Sequence, residues 1–379
     1  MSFLVESLKV MAVKSKYRSF LVINTFGIGD MLFSTPLLRN LRDNFPKAKI
    51  YYLCNKKTAP LLKNHPLVHK IFVYERDDFV AEQKRSFFLA IIKYWRFISE
   101  IRSERIDCAI DLSLNVQFGF FAFLAGIKNR IGLDYKNRSK FLNKKFKIEG
   151  FTDKHAADYY LDVLKLIGLH VKKCALEIYS DLKSDRWADD FFGKNGIKDG
   201  DLVIGVAPCG GDAFGKDNHL KRWPADKFSR LIDELVKAHK AKVFIFAGPK
   251  EKKDVEGIMS SLGTKVGVFE FSEESLERTV SLVKRCDLFI SNDTGILRFA
   301  DALGKRIVAL YGPIDEKVYG FYPYRDDINV VIKKDLPCRP CYRNFRLNVC
   351  GRDRECLTSI SVDEVFTAAG EVLKKRENL

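Results

Sequence analysis

Residues 288–313 read LFISNDTGILRFADALGKRIVALYGP. Positions 288–291 form a short apolar run suited to a buried strand, and 295–303 repeat their apolar residues at helical spacing. Positions 307–310 return to a strand pattern, so the stretch is a strand–helix–strand unit of the kind that builds parallel sheets. Between the first strand and the helix stands the polar turn Asn292-Asp293-Thr294-Gly295.

The same alternation extends in both directions. Strands are expected over 202–207 and 243–247, with helices over 225–239 and 275–285. In the first half, strand patterns at 19–24, 49–53, 71–73 and 108–112 alternate with helical ones at 30–44, 87–105 and 154–168. The polar stretch 180–201 reads as a linker. The chain is thus expected to be α/β, with two Rossmann-like parallel-sheet domains over 1–185 and 186–360 and a cleft between them as the natural site. In the helix of 87–105, Phe88, Ile91, Ile92, Trp95, Ile98 and Ile101 form one apolar stripe, flanked by Lys93, Arg96 and Arg102; it is expected to pack on the domain core or, where part of it is exposed, to dock on an anionic membrane surface.

The bulk composition narrows the partners. Of 379 residues, 65 are Lys or Arg and 49 Asp or Glu, a formal charge of +16 that favours anionic ligands such as nucleotides, nucleic acid or an acidic membrane surface. The opening MSFLVESLKVMAVKSKYR breaks its apolar residues with Glu6, Lys9 and Lys14, so no signal sequence is expected. The longest apolar stretch, 118–127, is too short to span a bilayer, and a cytoplasmic location follows as the expectation.

Ligands of open parallel sheets bind beyond the carboxyl ends of the strands. There the second half places Pro208-Cys209-Gly210-Gly211-Asp212, Lys221-Arg222, Gly248-Pro249-Lys250-Glu251, Asn292–Gly295 and Tyr311-Gly312-Pro313. Glycines let backbone approach a phosphate, and the helix opening at Gly295 offers free N–H groups to a diphosphate. Asp293 and Thr294 also suit plain helix capping, and Lys221 a solvated surface lysine; their recurrence at successive strand ends favours a nucleotide pocket.

The first half carries NTFGIGDMLFSTP at 24–36, with Gly27, Gly29 and Asp30 directly after a strand. A dinucleotide fingerprint needs a third glycine, where Leu32 stands, and an acid at the next strand end, which reads Leu53-Cys54-Asn55. NAD is therefore not expected. Asp30 is either a helix-start residue favoured by the dipole or a general base whose neighbouring glycines admit a substrate.

GIGDMLFSTPLLRNLRDNFPKAKI (27–50), LKRWPADKFSRLIDEL (220–235) and SNDTGILRFADALGKRIVALYGP (291–313) together resemble glycosyltransferase family nine, the ADP-heptose:lipopolysaccharide heptosyltransferases. LAGIKNRIGLDY (124–135), KHAADYYLDVLKLIGL (154–169) and CRPCYRNFRLNVCGRDRECLTSIS (338–361) extend the likeness over nearly the whole chain. The resemblance implies a GT-B fold and an inverting transfer without an essential metal. The only Asp-x-Asp, Asp199-Gly200-Asp201, precedes its strand and so fits that expectation. By the same resemblance Asp30 is the base acting on the acceptor hydroxyl, with Gly27 and Gly29 on the acceptor-side loop, and Lys221 neutralises the donor phosphates. Asp293, Thr294 and Gly295 hold the donor sugar and diphosphate, with Arg222 nearby, and Glu251 contacts the nucleoside. Arg298 stands where the family commonly has histidine, and is expected either to pair with phosphate bidentately or to mark a different donor sugar. Residues 361–379 are expected to form a helix packing back on the N-terminal domain.

The partners expected are a nucleotide-sugar donor and an anionic glycolipid acceptor at the inner face of the cytoplasmic membrane, with peripheral association and no nucleic acid. No cofactor is expected; the four clustered thiols Cys338, Cys341, Cys350 and Cys356 suit either a structural zinc or free structural cysteines, and their C-x₂-C-x₈-C-x₅-C spacing matches no zinc signature closely. A nucleotide-sugar epimerase and a basic nucleic-acid-binding protein are the competing functions.

Overall fold

The structure, a computed structural model, describes residues 17–211 and 214–374. The opening segment read for a signal, the loop tip at Asp212 and the last five residues lie outside the described residues. The chain divides into two units, Met1–Ala175 and Leu176–Leu379.

The first unit holds β1 (Ser19–Ile23), β2 (Lys49–Cys54), β3 (Lys70–Val73), β4 (Cys108–Asp111), β5 (Asn129–Tyr135) and β6 (Lys144–Ile148), in the order β3-β2-β1-β4-β5-β6. The second holds β7 (Val203–Ala207), β8 (Lys242–Phe246), β9 (Val268–Phe271), β10 (Leu288–Asn292), β11 (Arg306–Tyr311) and β12 (Asn329–Lys333), in the order β12-β11-β10-β7-β8-β9. Every pairing in both sheets is parallel. Each unit therefore repeats one doubly wound topology, in which the chain reverses direction across the sheet between its first and fourth strands. That reversal opens a crevice at β1/β4 and at β7/β10.

β1 and the body of β7 are buried on both faces, as a strand covered by helices on each side must be. The edge strand β6 reads KKFKI and keeps its lysines exposed, a charge pattern that blocks further strand addition. The predicted helix over 30–44 is two helices, Ile28–Phe33 and Thr35–Asn44. At the break the hydroxyls of Ser34 and Thr35 donate to the Met31 and Leu32 carbonyls, at 2.6 and 2.7 Å, and Pro36 starts the second helix.

Three expectations change. The stretch read as a linker contains the helix Leu182–Lys194, capped by Asp181, whose carboxylate accepts from the Ser184 N–H at 2.8 Å. Phe191 and Phe192 of that helix pack edge-on against Phe244, so it belongs to the second unit and the division falls at 175/176 rather than 185/186. The C-terminal helix Val362–Lys374 joins the core of the second unit. Its Val365, Ala369 and Val372 sit with Leu231, Leu235 and Leu310 in the core of the second unit. Finally, the Phe87–Ser103 helix buries Phe97, Ile98 and Ile101 but leaves Phe88, Ile91, Ile92 and Trp95 exposed. Its 17 residues are apolar on two faces, and the sheet covers only one.

Candidate active site

In the first unit, Asn24 follows β1 and is fully buried. Its Oδ1 accepts from the Phe26 N–H at 3.2 Å, and its Nδ2 donates to the Asp30 carbonyl at 3.0 Å. Asn55, after β2, donates to the carbonyls of Thr25 and Phe26 at 3.0 and 2.8 Å. Two amides thus hold the Thr25–Gly27 loop from both sides, and no acid was needed where the dinucleotide fingerprint would put one. A side-chain carbon added at Gly27 would meet nothing within 4 Å, so the loop faces open space. Asp30 lies half-buried in the first turn of its helix, and the Tyr160 hydroxyl donates to its Oδ1 at 3.3 Å. Tyr160 is itself fully buried in the helix Ala156–Lys165, so the carboxylate is oriented by a fixed group.

Across the crevice, β4 ends at Asp111, which is paired in register with Ile23. Burial pushes its carboxyl up to about 6, although the Ser113 hydroxyl and N–H donate to it at 2.6 and 2.9 Å. A second carboxyl at this crevice was not anticipated. Nor was Tyr160, because one sequence does not say which tyrosine of KHAADYYLDVLKLIGL reaches Asp30.

The second unit assembles its site around the last residue of β10. Asn292 accepts from the Trp223 N–H at 3.1 Å and donates to the Pro208 carbonyl at 2.6 Å, joining the loops after β7 and β10. Gly210 is required there: a Cβ would stand 2.4 Å from the Asn218 carbonyl oxygen. This clamp brings Lys221, only 7% exposed, to 2.7 Å from Asp293 Oδ2. The other Asp293 oxygen accepts from Arg298. Burial alone would raise the Asp293 carboxyl; the charges of Lys221 and Arg298 outweigh it and hold the group below the usual carboxylate range. Two cations around one anion leave one net positive charge beside the Gly295–Ala302 helix, whose cap Thr294 accepts from the Leu297 N–H at 3.2 Å.

Two residues are placed differently from expectation. Arg298 was expected on phosphate, yet it is buried and its guanidinium donates to Asp293, to the Tyr311 hydroxyl at 2.8 Å and to the Gly320 carbonyl at 2.7 Å. Such an arginine positions Asp293. Glu251 was expected on the nucleoside, but its carboxylate accepts from the N–H groups of Gly211 and Gly248 at 2.8 and 3.1 Å, and lies 3.5 Å from Arg222. It ties the loops after β7 and β8 together. Arg222 in turn donates to Asp254 at 2.8 Å.

The four clustered cysteines flank a hairpin of β13 (Tyr342–Arg343) and β14 (Arg346–Leu347). Cys356 is buried, its thiol pushed up to about 11, whereas Cys338 is exposed. Among the described residues no three His, Cys, Asp or Glu side chains are grouped so as to hold a metal.

The two doubly wound six-stranded parallel sheets define a GT-B-like fold. The family model of glycosyltransferase family 9 (heptosyltransferase) matches residues 94–349, and the chain belongs to that family. It is 26% identical over 304 residues to lipopolysaccharide heptosyltransferase 2 of Salmonella typhimurium, covering 77% of this chain and 82% of that one. The glycosyl transferase family 9 structure from Veillonella parvula superposes with a TM-score of 0.80 at 24% identity, over 95% of this chain and 98% of the other. E. coli ADP-heptose lps heptosyltransferase II superposes at 0.73 with 21% identity, over 95% and 99%.

Proposed function

We propose that this glycosyltransferase moves a heptosyl group from ADP-heptose to the saccharide core of a lipopolysaccharide or lipooligosaccharide, with inversion and without a metal. The observation that carries the reading is the family match, whose span of 94–349 includes the whole Lys221–Asp293–Arg298 cluster. The relatives' own names supply the donor and the acceptor.

In this reading Asp30 takes the proton of the acceptor hydroxyl, and Tyr160 keeps the carboxylate aimed. The acceptor oxygen bonds to the anomeric carbon as the bond to the diphosphate oxygen breaks on the opposite face. Charge growing on the leaving ADP is met by Lys221, turning from Asp293, and by the first N–H groups of the Gly295 helix. Asp199-Gly200-Asp201 lies ahead of β7, at the sheet edge away from these turns, which favours charge neutralisation by side chains rather than by a carboxylate-held cation.

The test is product formation by purified protein from a panel of nucleotide-sugars, with and without a deacylated core acceptor and with a chelator present. Transfer confined to ADP-heptose with acceptor supports the reading. Conversion of the sugar nucleotide without acceptor would instead make the protein an epimerase.

A further inference from the structure

The uncovered face of the Phe87–Ser103 helix coincides with a second asymmetry. The unit containing it, residues 1–175, holds 31 Lys and Arg against 16 Asp and Glu, whereas residues 176–379 hold 34 against 33. Nearly the whole cationic surplus of the chain thus belongs to the unit that also exposes its aromatic side chains.

At 100° per residue, Phe88, Ile91, Ile92 and Trp95 fall within one arc of the helix, opposite Ala90, Phe97 and Ile101. They are 77%, 38%, 47% and 54% exposed, and Phe87 is 62% exposed. Isolated exposed apolar residues are ordinary; five on one helix form a contiguous patch. Basic residues border it: Lys84 and Arg85 end the preceding helix, and Arg96 lies beside Trp95, all exposed. No helix among the described residues is long and apolar enough to cross a membrane, which suits a helix lying in the plane of the interface.

We propose that this helix is a membrane-docking element, seating Phe88, Ile91, Ile92 and Trp95 among the acyl chains of an anionic bilayer while Lys84, Arg85 and Arg96 meet its headgroups. Charge complementarity selects the bilayer over a second copy of the chain, because two such units would bring like charges together. The apolar stripe selects it over nucleic acid, which a purely basic face would serve. The inference deepens the proposed reaction on a lipid-linked acceptor, yet its basis is the exposure and charge of this helix.

The test is co-sedimentation of the full-length protein with phosphatidylcholine vesicles, with and without phosphatidylglycerol. The comparison is with the variant Phe88→Glu/Trp95→Glu and with Lys84→Glu/Arg85→Glu. Wild type is expected to bind the anionic vesicles, and each variant to bind about tenfold or more weakly. The substituted side chains are exposed, so both variants should keep the wild-type circular dichroism and melting temperature. The emission lost in Trp95→Phe should report a blue shift of Trp95 on adding anionic vesicles. Equal vesicle binding by wild type and the Phe88→Glu/Trp95→Glu variant overturns the proposal. So does a Trp95 already shielded from aqueous quencher without vesicles, which would mean that another segment or a second copy covers the patch. Preference for duplex DNA over anionic vesicles overturns it as well. The same variants should retain their rate on a deacylated, water-soluble acceptor, so loss of docking is separable from failure of the proposed transfer.

Discussion

Asp30 and Asp293 each stand on a strand-to-helix turn beside the crevice where their sheet reverses, Asp30 after the first strand of its sheet and Asp293 after the fourth strand of the other. Their environments differ. Asp30 is half-buried on an open glycine turn, and the neutral Tyr160 hydroxyl is 3.3 Å away. Asp293 is buried between Lys221 and Arg298. The first arrangement leaves a carboxylate able to accept a proton from a ligand. The second makes the carboxylate a counter-ion that holds two cations in place. In the proposed reaction one kind of turn would thus supply the base in one unit and the anion-binding cluster in the other.

The comparison breaks most visibly at Asp30. Asp30→Asn should lower turnover about 10²- to 10⁴-fold while nucleotide affinity stays the same, as steady-state rates and equilibrium binding would show. If the variant keeps its rate, Asp30 is not the base. At the opposite carboxylate the primary effect should be on stability. Asp293→Asn leaves Lys221 and Arg298 buried without their anion and should cost about 3–5 kcal/mol, read as a lower denaturant midpoint. Lys221→Ala should weaken nucleoside diphosphate binding by about 1.5–3 kcal/mol, measured by titration calorimetry, with a smaller loss of stability.

A finer test uses pH. Asp293 has its folded pKa depressed, so its stabilisation is present above the unfolded carboxylate value and is lost as pH falls through the folded one. Asp301 behaves oppositely: burial pushes it up to about 7, so its stabilisation is complete below the unfolded value and disappears as pH rises through 7. Denaturant midpoints at pH 5 and pH 8 should therefore converge in Asp301→Asn. A pH dependence unchanged from wild type would show that Asp301 does not titrate in this range.

Much of the fold was legible because it rests on local patterns. Apolar runs of four to six residues between amphipathic helices marked β1–β4, β7, β8, β10 and β11. β6, reading KKFKI, escaped because an edge strand alternates its charges outward and looks like a loop. The helix Leu182–Lys194 escaped because its polar face outweighs the aromatic pair that anchors it. The turns carrying Asp30, Lys221 and Asp293 were recognisable as motifs. The partners that define their roles, Tyr160, Asn24, Asn55 and Asn292, were not, since each acts through a contact distant in sequence.

By itself the sequence determined the repeated strand–helix alternation, the family and the positions of the charged turns, because these depend on periodicity and on short spacings along the chain. Tertiary structure alone decided that Arg298 turns inward to Asp293, that Glu251 ties two loops, and that one apolar stripe of the Phe87 helix meets no core. Hydrophobic periodicity states that a face is apolar. Which surface covers it, and which charge a buried guanidinium meets, depends on residues brought together only by folding.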